Sequence, residues 1–157
     1  MNIRLINTFI EEKVFKKLLQ KIGIALIPVT ILACQQDRPL TDYEPRSSQE
    51  ESVKKVLLAF QEGVLTQDSK KVEALIHENA SIMIGSDRKM LSKTEYAEIL
   101  SYRLAENSSI FLGTPKIDIS GDKAEIRIYM KRGGGRFLMV FTMLMENDQW
   151  YILKWEY

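Results

Sequence analysis

Residues 48–157 are predicted to fold as an α+β domain, with about three helices leading into a curved antiparallel sheet that wraps around them. Three observations predict it. Apolar residues recur at spacings of three and four up to Leu104, the period shortens to two from Ile110 onward, and Gly, Asn and Asp punctuate the second half at hairpin spacing. At 157 residues the chain has room for one ordinary core.

The amino-terminal third reads differently. Ile22 to Ala33 carries no charge and follows Lys16, Lys17 and Lys21, a positive segment leading into an apolar one. A spanning helix needs about 20 apolar residues, so this shorter run reads as a cleaved signal rather than an anchor. It ends in Ile31-Leu32-Ala33-Cys34, which resembles the lipobox of bacterial lipoprotein precursors. The resemblance implies a signal peptide over 1–33, acylation of Cys34 and a membrane-anchored envelope protein. Gln35, where an Asp tends to mark inner-membrane retention, leans toward the outer membrane. The competing reading makes residues 7–21 an amphipathic helix, on the spacing of Phe9, Ile10, Val14 and Leu18, with Cys34 a buried thiol. Residues 34–47, with Pro39, Pro45 and mixed charge, are expected to form a solvated tether, an ordered loop being the alternative.

Within the domain, Ser48-Gln49-Glu50-Glu51 has the form of a capping box, and Val53, Val56, Leu57, Phe60 and Val64 follow as one apolar stripe. Asp68 or Ser69 caps a second, shorter helix through Val72, Leu75 and Ile76, closed by His77-Glu78-Asn79. Ala80 to Gly85 alternates as a strand. Ser92-Lys93-Thr94-Glu95 opens a third helix with the stripe Tyr96, Ile99, Leu100, Arg103 and Leu104.

Beyond Ile110, Gly113 and Pro115 interrupt a bulged or edge strand. Ser120 to Lys123 turns into a strand in which Ala124, Ile126, Ile128 and Met130 alternate with polar residues. Gly133 to Gly135 turns again into Arg136 to Glu146, apolar on both faces. Asn147-Asp148 leads into the last strand, where Tyr151, Leu153, Trp155 and Tyr157 are expected to share a side.

Charge and residue chemistry exclude several functions. Five of the 22 Lys and Arg and two of the 21 Asp and Glu precede Cys34, leaving 17 against 19 and a net charge of −2 for the remainder. Nucleic acid needs a clustered basic surface, and none is present. One cysteine and one histidine provide neither an intramolecular disulfide nor a set of metal ligands at workable spacing, so no metal and no cofactor is expected. His77, beside Glu78, is a possible general base, but its place at a predicted helix end fits interaction with the last carbonyls better. Lys131 to Arg136 joins two strands and so cannot act as a phosphate cradle feeding a helix; it reads as a flexible hairpin or as a basic tip that touches anionic lipid or glycan.

The element order, Asp68 between the first two helices, and the closing Trp150-Tyr151-Ile152-Leu153-Lys154-Trp155 together resemble the nuclear transport factor 2-like fold over Ser48 to Tyr157. That resemblance implies helices packed into the concave side of a curved sheet, forming a cone with a pocket at its wide end. Among the enzymes of that fold, ketosteroid isomerases use an Asp base with a Tyr and a protonated Asp. The corresponding positions hold Phe60, Ile84 and approximately Thr142, none with the needed chemistry. The expected function is therefore binding of a small apolar ligand or of an envelope protein, without catalysis. Phe60, Ile84, Leu100 and Thr142 are the pocket candidates, with Tyr96 a further source of specificity. The alternative is an isomerase, lyase or cyclase using His77 or an unplaced carboxylate. Met139, Phe141 and Met143 are the candidate face for a homodimer, because both sides of their strand are apolar.

Overall fold

The structure is a computed structural model that describes residues 38–106 and 109–157. The segment read as a signal peptide, Cys34 and the first residues of the expected tether lie outside the described residues.

Among the described residues, three α-helices precede or interrupt a seven-stranded sheet. Helix α1 spans Ser48–Leu65 and buries the predicted stripe of Val53, Val56, Leu57, Phe60 and Val64. Its cap is Ser47, one residue before the predicted start, and the Ser47 hydroxyl accepts from the Glu50 N–H at 3.1 Å. Helix α2 (Ser69–Ala74) is capped by Asp68, whose carboxylate accepts from the Lys71 N–H at 2.9 Å. It packs so closely on α1 that a Cβ on Gly63 would lie 2.8 Å from Val72 Cγ2. Strand β1 (Ile76–Ile84) starts earlier than predicted, so His77, Glu78 and Asn79 belong to a strand rather than to a helix end.

Strand β2 (Lys89–Ser92), which the sequence did not announce, leads directly into α3 (Lys93–Ala105). There Ser92 and Glu95 form the predicted reciprocal capping box. Strands β3 (Phe111–Leu112) and β4 (Lys116–Ser120) both pair with β5 (Lys123–Arg132), so the interrupted segment forms a broken edge. Strands β6 (Gly135–Glu146) and β7 (Gln149–Glu156) complete the order β2-β1-β7-β6-β5-β3. The sheet is mixed rather than wholly antiparallel, because β1 runs parallel to β7.

Two residues of positive φ, Gly133 and Gly134, make the β5–β6 turn, as a type I′ hairpin requires. That turn sets Arg132 opposite Gly135 and, by alternation, Ile126 opposite Phe141 and Ala124 opposite Met143. Met139, Phe141 and Met143 therefore point into the core, 3%, 0% and 0% exposed. They cannot serve as a dimer face. In β7 an extra residue, Leu153, separates the pairs Met143–Ile152 and Thr142–Lys154. This bulge resets the alternation, so Trp150, Ile152 and Trp155 are buried instead of Tyr151, Leu153 and Tyr157.

Residues 38–47 are not a free tether. Pro39 bridges Gly113, residues Leu40–Asp42 form a 3₁₀ turn, and Leu40 is wholly buried in the core.

Candidate functional site

A cavity of about 70 Å³ lies between α1, α3 and the concave face of the sheet. Its walls follow from the register just described. Phe60 comes from the α1 stripe, Ile84 from the end of β1, Met130 and Met139 from facing strands, and Trp155 from beyond the β7 bulge. The aromatic rings interlock: Trp155 meets Phe60 edge-on at 5.5 Å and Tyr96 at 5.0 Å. The Trp155 indole N–H donates to the Met83 carbonyl at 3.2 Å, and the Tyr157 hydroxyl donates to the Gly85 carbonyl at 2.9 Å. These bonds tie the carboxyl-terminal strand to the end of β1 and hold the indole in place.

Besides Trp155, four lining residues carry polar side-chain groups: Tyr96, Arg103, Arg132 and Tyr157, whose hydroxyl is held by Gly85. Burial pushes the Tyr96 phenol up to about 12, against the opposing pull of Arg103 and Arg132. Tyr96 is therefore a neutral phenol at physiological pH. Among the described residues no Asp, Glu or His side chain lines the cavity. A second, open groove of about 310 Å³ adjoins it, formed by Leu65, Phe111, Lys131 and the Gly133-Gly134 turn, and sharing Ile110 and Arg132 with the cavity.

The predicted site residues separate accordingly. Phe60 and Ile84 share the cavity wall, together with Tyr96. Leu100 is 1% exposed inside the core and does not reach the wall. Thr142 pairs with Glu125 and Lys154 on the outer face of the sheet, the side away from buried Phe141, and so cannot contribute to the pocket. His77 lies elsewhere. Its Nδ1 accepts from the Asn79 N–H at 3.1 Å, and its Nε2 stands 3.5 Å from Glu146.

Arg103, Arg132 and the cavity methionines were not read from sequence as pocket residues; Arg132 stood in the basic hairpin and Met139 in the candidate dimer face. Arg103 was nevertheless marked there, as the one cation within the otherwise apolar stripe of α3. A charged residue on a core-facing position is the signal that points to it.

The profile of the putative lumazine-binding family matches residues 48–157. No curated protein matches the sequence. Among solved structures, a nuclear transport factor 2-like protein of unknown function from Shewanella baltica is 20% identical with a TM-score of 0.59, over 71% of this chain and 94% of that one. A putative calcium/calmodulin dependent protein kinase II association domain from Xanthomonas campestris is 11% identical with a TM-score of 0.63, over 78% and 93%. A putative ketosteroid isomerase from Shewanella frigidimarina is 19% identical with a TM-score of 0.58, over 67% and 94%. At these identities the likeness is one of fold. The chain belongs to the putative lumazine-binding family, and its domain has the nuclear transport factor 2-like fold.

Proposed function

We propose that this protein is a bacterial envelope lipoprotein, anchored through an acylated Cys34, whose domain binds a small apolar ligand without catalysis. The observation that carries the binding reading is the cavity wall: mostly aromatic, aliphatic and methionine side chains, with the phenols of Tyr96 and Tyr157 and the guanidinium groups of Arg103 and Arg132 as its few polar groups. That is the composition of a binding pocket, in which a few polar groups orient an apolar guest. The family description, putative lumazine-binding, supports a flat heteroaromatic guest. A general base or acid needs to stand in the cavity to act on such a guest, and His77 is outside it, which weighs against the isomerase or lyase alternative.

The cavity is small beside the 300–1,000 Å³ typical of ligand sites. Met83, Met130 and Met139 line it, and unbranched methionine side chains shift readily to admit a guest. The test is a titration of the purified domain with lumazine and with small aromatic compounds, read by Trp155 fluorescence. Saturable quenching that Met139→Phe abolishes supports binding. No quenching by any compound leaves the cavity as packing only, and a protein partner as the remaining role.

The anchor has its own consequence. Buried Leu40 lies six residue steps along the chain from Cys34. At ~3.5 Å each they reach roughly 20 Å at most, so an acylated chain would hold the domain close to the headgroups. Intact mass of the membrane-extracted protein tests it: loss of Met1 to Ala33 with acylation of Cys34 is expected, and an uncleaved, unmodified chain would sink the envelope assignment.

A further inference from the structure

Arg132 belongs to both depressions, the enclosed cavity and the open groove. It is the last residue of β5, and the Gly133-Gly134 turn beside it fixes where the strand stops. Its position is thus set by the sheet and not by a loop. Arg103 approaches from α3, and Lys131 lines the groove, its ammonium 5.6 Å from the centre of the Phe111 ring. Among the described residues that line the two depressions there is no Asp or Glu, so every charged side chain on them is positive.

A guanidinium beside an apolar chamber loses hydration when a guest fills the space, at a cost unless the guest brings a partner charge. A neutral guest would leave Arg132 partly desolvated. A guest with an anionic end would meet it with two parallel hydrogen bonds, the geometry in which guanidinium recognises carboxylate. Tyr96 adds a donor that no described residue uses, in a site where Arg103 and Arg132 both act on its phenol.

We propose that the ligand is a small amphipathic anion, an aromatic or short-chain carboxylate, whose apolar end enters the cavity between Phe60, Met139 and Trp155 and whose carboxylate pairs with Arg132 where cavity and groove meet. This rests on the binding reading above and narrows it to a charge class.

The test uses 3-phenylpropionate and its neutral analogue 3-phenylpropionamide, titrated into the purified protein by calorimetry and by Trp155 fluorescence. The acid is expected to bind at least tenfold tighter than the amide. Arg132→Gln should bring the acid to the level of the amide and leave the amide unchanged, whereas Arg132→Lys should keep part of the preference. Thermal unfolding of both variants checks that the domain is intact. Equal binding of acid and amide, or a preference that survives Arg132→Gln, overturns the anion assignment and leaves the pocket standing. Failure of both compounds, at concentrations where lumazine also fails, overturns the two readings together.

Discussion

The Arg46 guanidinium clasps the Glu50 carboxylate, with Nη2 at 2.7 Å and Nε at 3.0 Å from Oε1. The Arg46 backbone N–H and the Tyr43 hydroxyl donate to Oε2 at 2.8 and 2.7 Å. Glu50 is the one buried charged residue among those described, and its four donors all come from the segment before α1. Arg46 also donates to the Ile117 carbonyl at 3.2 Å, so the clasp joins that segment, the first turn of α1 and β4. With Ser47 as the cap, the acidic residue three positions on is Glu50 rather than Glu51, and its carboxylate anchors the segment that precedes α1 instead of reaching back to the cap.

The clasp predicts an acid-sensitive stability. Burial alone would raise the Glu50 carboxyl, but the bonds from Arg46 and Tyr43 outweigh it and bring it down from 4.5 to about 2. A carboxyl lowered by folding stabilises fully above pH 4.5 and loses that contribution as pH falls toward 2. The shift corresponds to at most roughly 3 kcal/mol, and less in practice because the Arg46 side chain is 72% exposed and water screens it. Urea unfolding of wild type and Glu50→Gln between pH 2 and 7 checks this. The variant should be less stable at pH 7, with a flatter slope below pH 4.5; parallel slopes would refute the assignment.

Leu40 gives a second prediction. It is fully buried, so Leu40→Ala should cost about 2–5 kcal/mol, the usual range for a buried leucine. Removing residues 1–47 should cost more, because Glu50 then loses its partners as well. A truncated domain with an unchanged melting temperature would show that residues 38–47 ride on the fold without supporting it.

The helical half was legible because each stripe and cap is local: Val53 to Val64, Asp68, and the Ser92–Glu95 box need only neighbours in sequence. The sheet was legible in its turns but less so in its faces. Strand β6 is apolar on both sides, so its own sequence does not say which side is inner. The answer lies in β5, whose Ile126 and Ile128 alternate cleanly with charged Glu125 and Arg127, read across the two-glycine turn. The bulge at Leu153 could not be read, because nothing local marks where β7 slips against β6. Arg46 was not legible as the partner of Glu50, since prolines and mixed charge look the same in a solvated tether and in a packed strap. The pocket was half legible, through Phe60 and Ile84, and Thr142 was misplaced by the parity of β6.

Tyr96→Phe separates binding from folding. The ring keeps its edge-on contact with Trp155, and among the described residues its hydroxyl has no hydrogen-bond partner to lose. The melting temperature should stay within about 2 °C, in line with a stability change below ~0.5 kcal/mol. Affinity for 3-phenylpropionate should fall severalfold as one donor to the guest disappears. A large drop in melting temperature with no effect on affinity would make Tyr96 a core residue alone.

If the chain self-associates, the outer face of β6 is the surface we propose for it. Leu138 is 44% exposed there, in line with half-buried Val140 and Leu144 and flanked by Tyr129 across the strand pair. Of the charges on the same face, Arg127 pairs with Glu125, Lys154 pairs with Glu156 at 2.8 Å, and the Arg136 guanidinium lies 4.1 Å from the centre of the Tyr129 ring. A second copy laid against this surface would cover the apolar row, and exposed apolar rows of this kind mark contacts. Sedimentation of the soluble domain should then report a dimer that Leu138→Glu converts to a folded monomer. Met143→Glu, on the opposite face, should unfold the chain instead, because it places a carboxylate in the core. A wild-type domain that stays monomeric at high concentration would remove the dimer, and a folded, soluble Met143→Glu would contradict the parity assigned to β6.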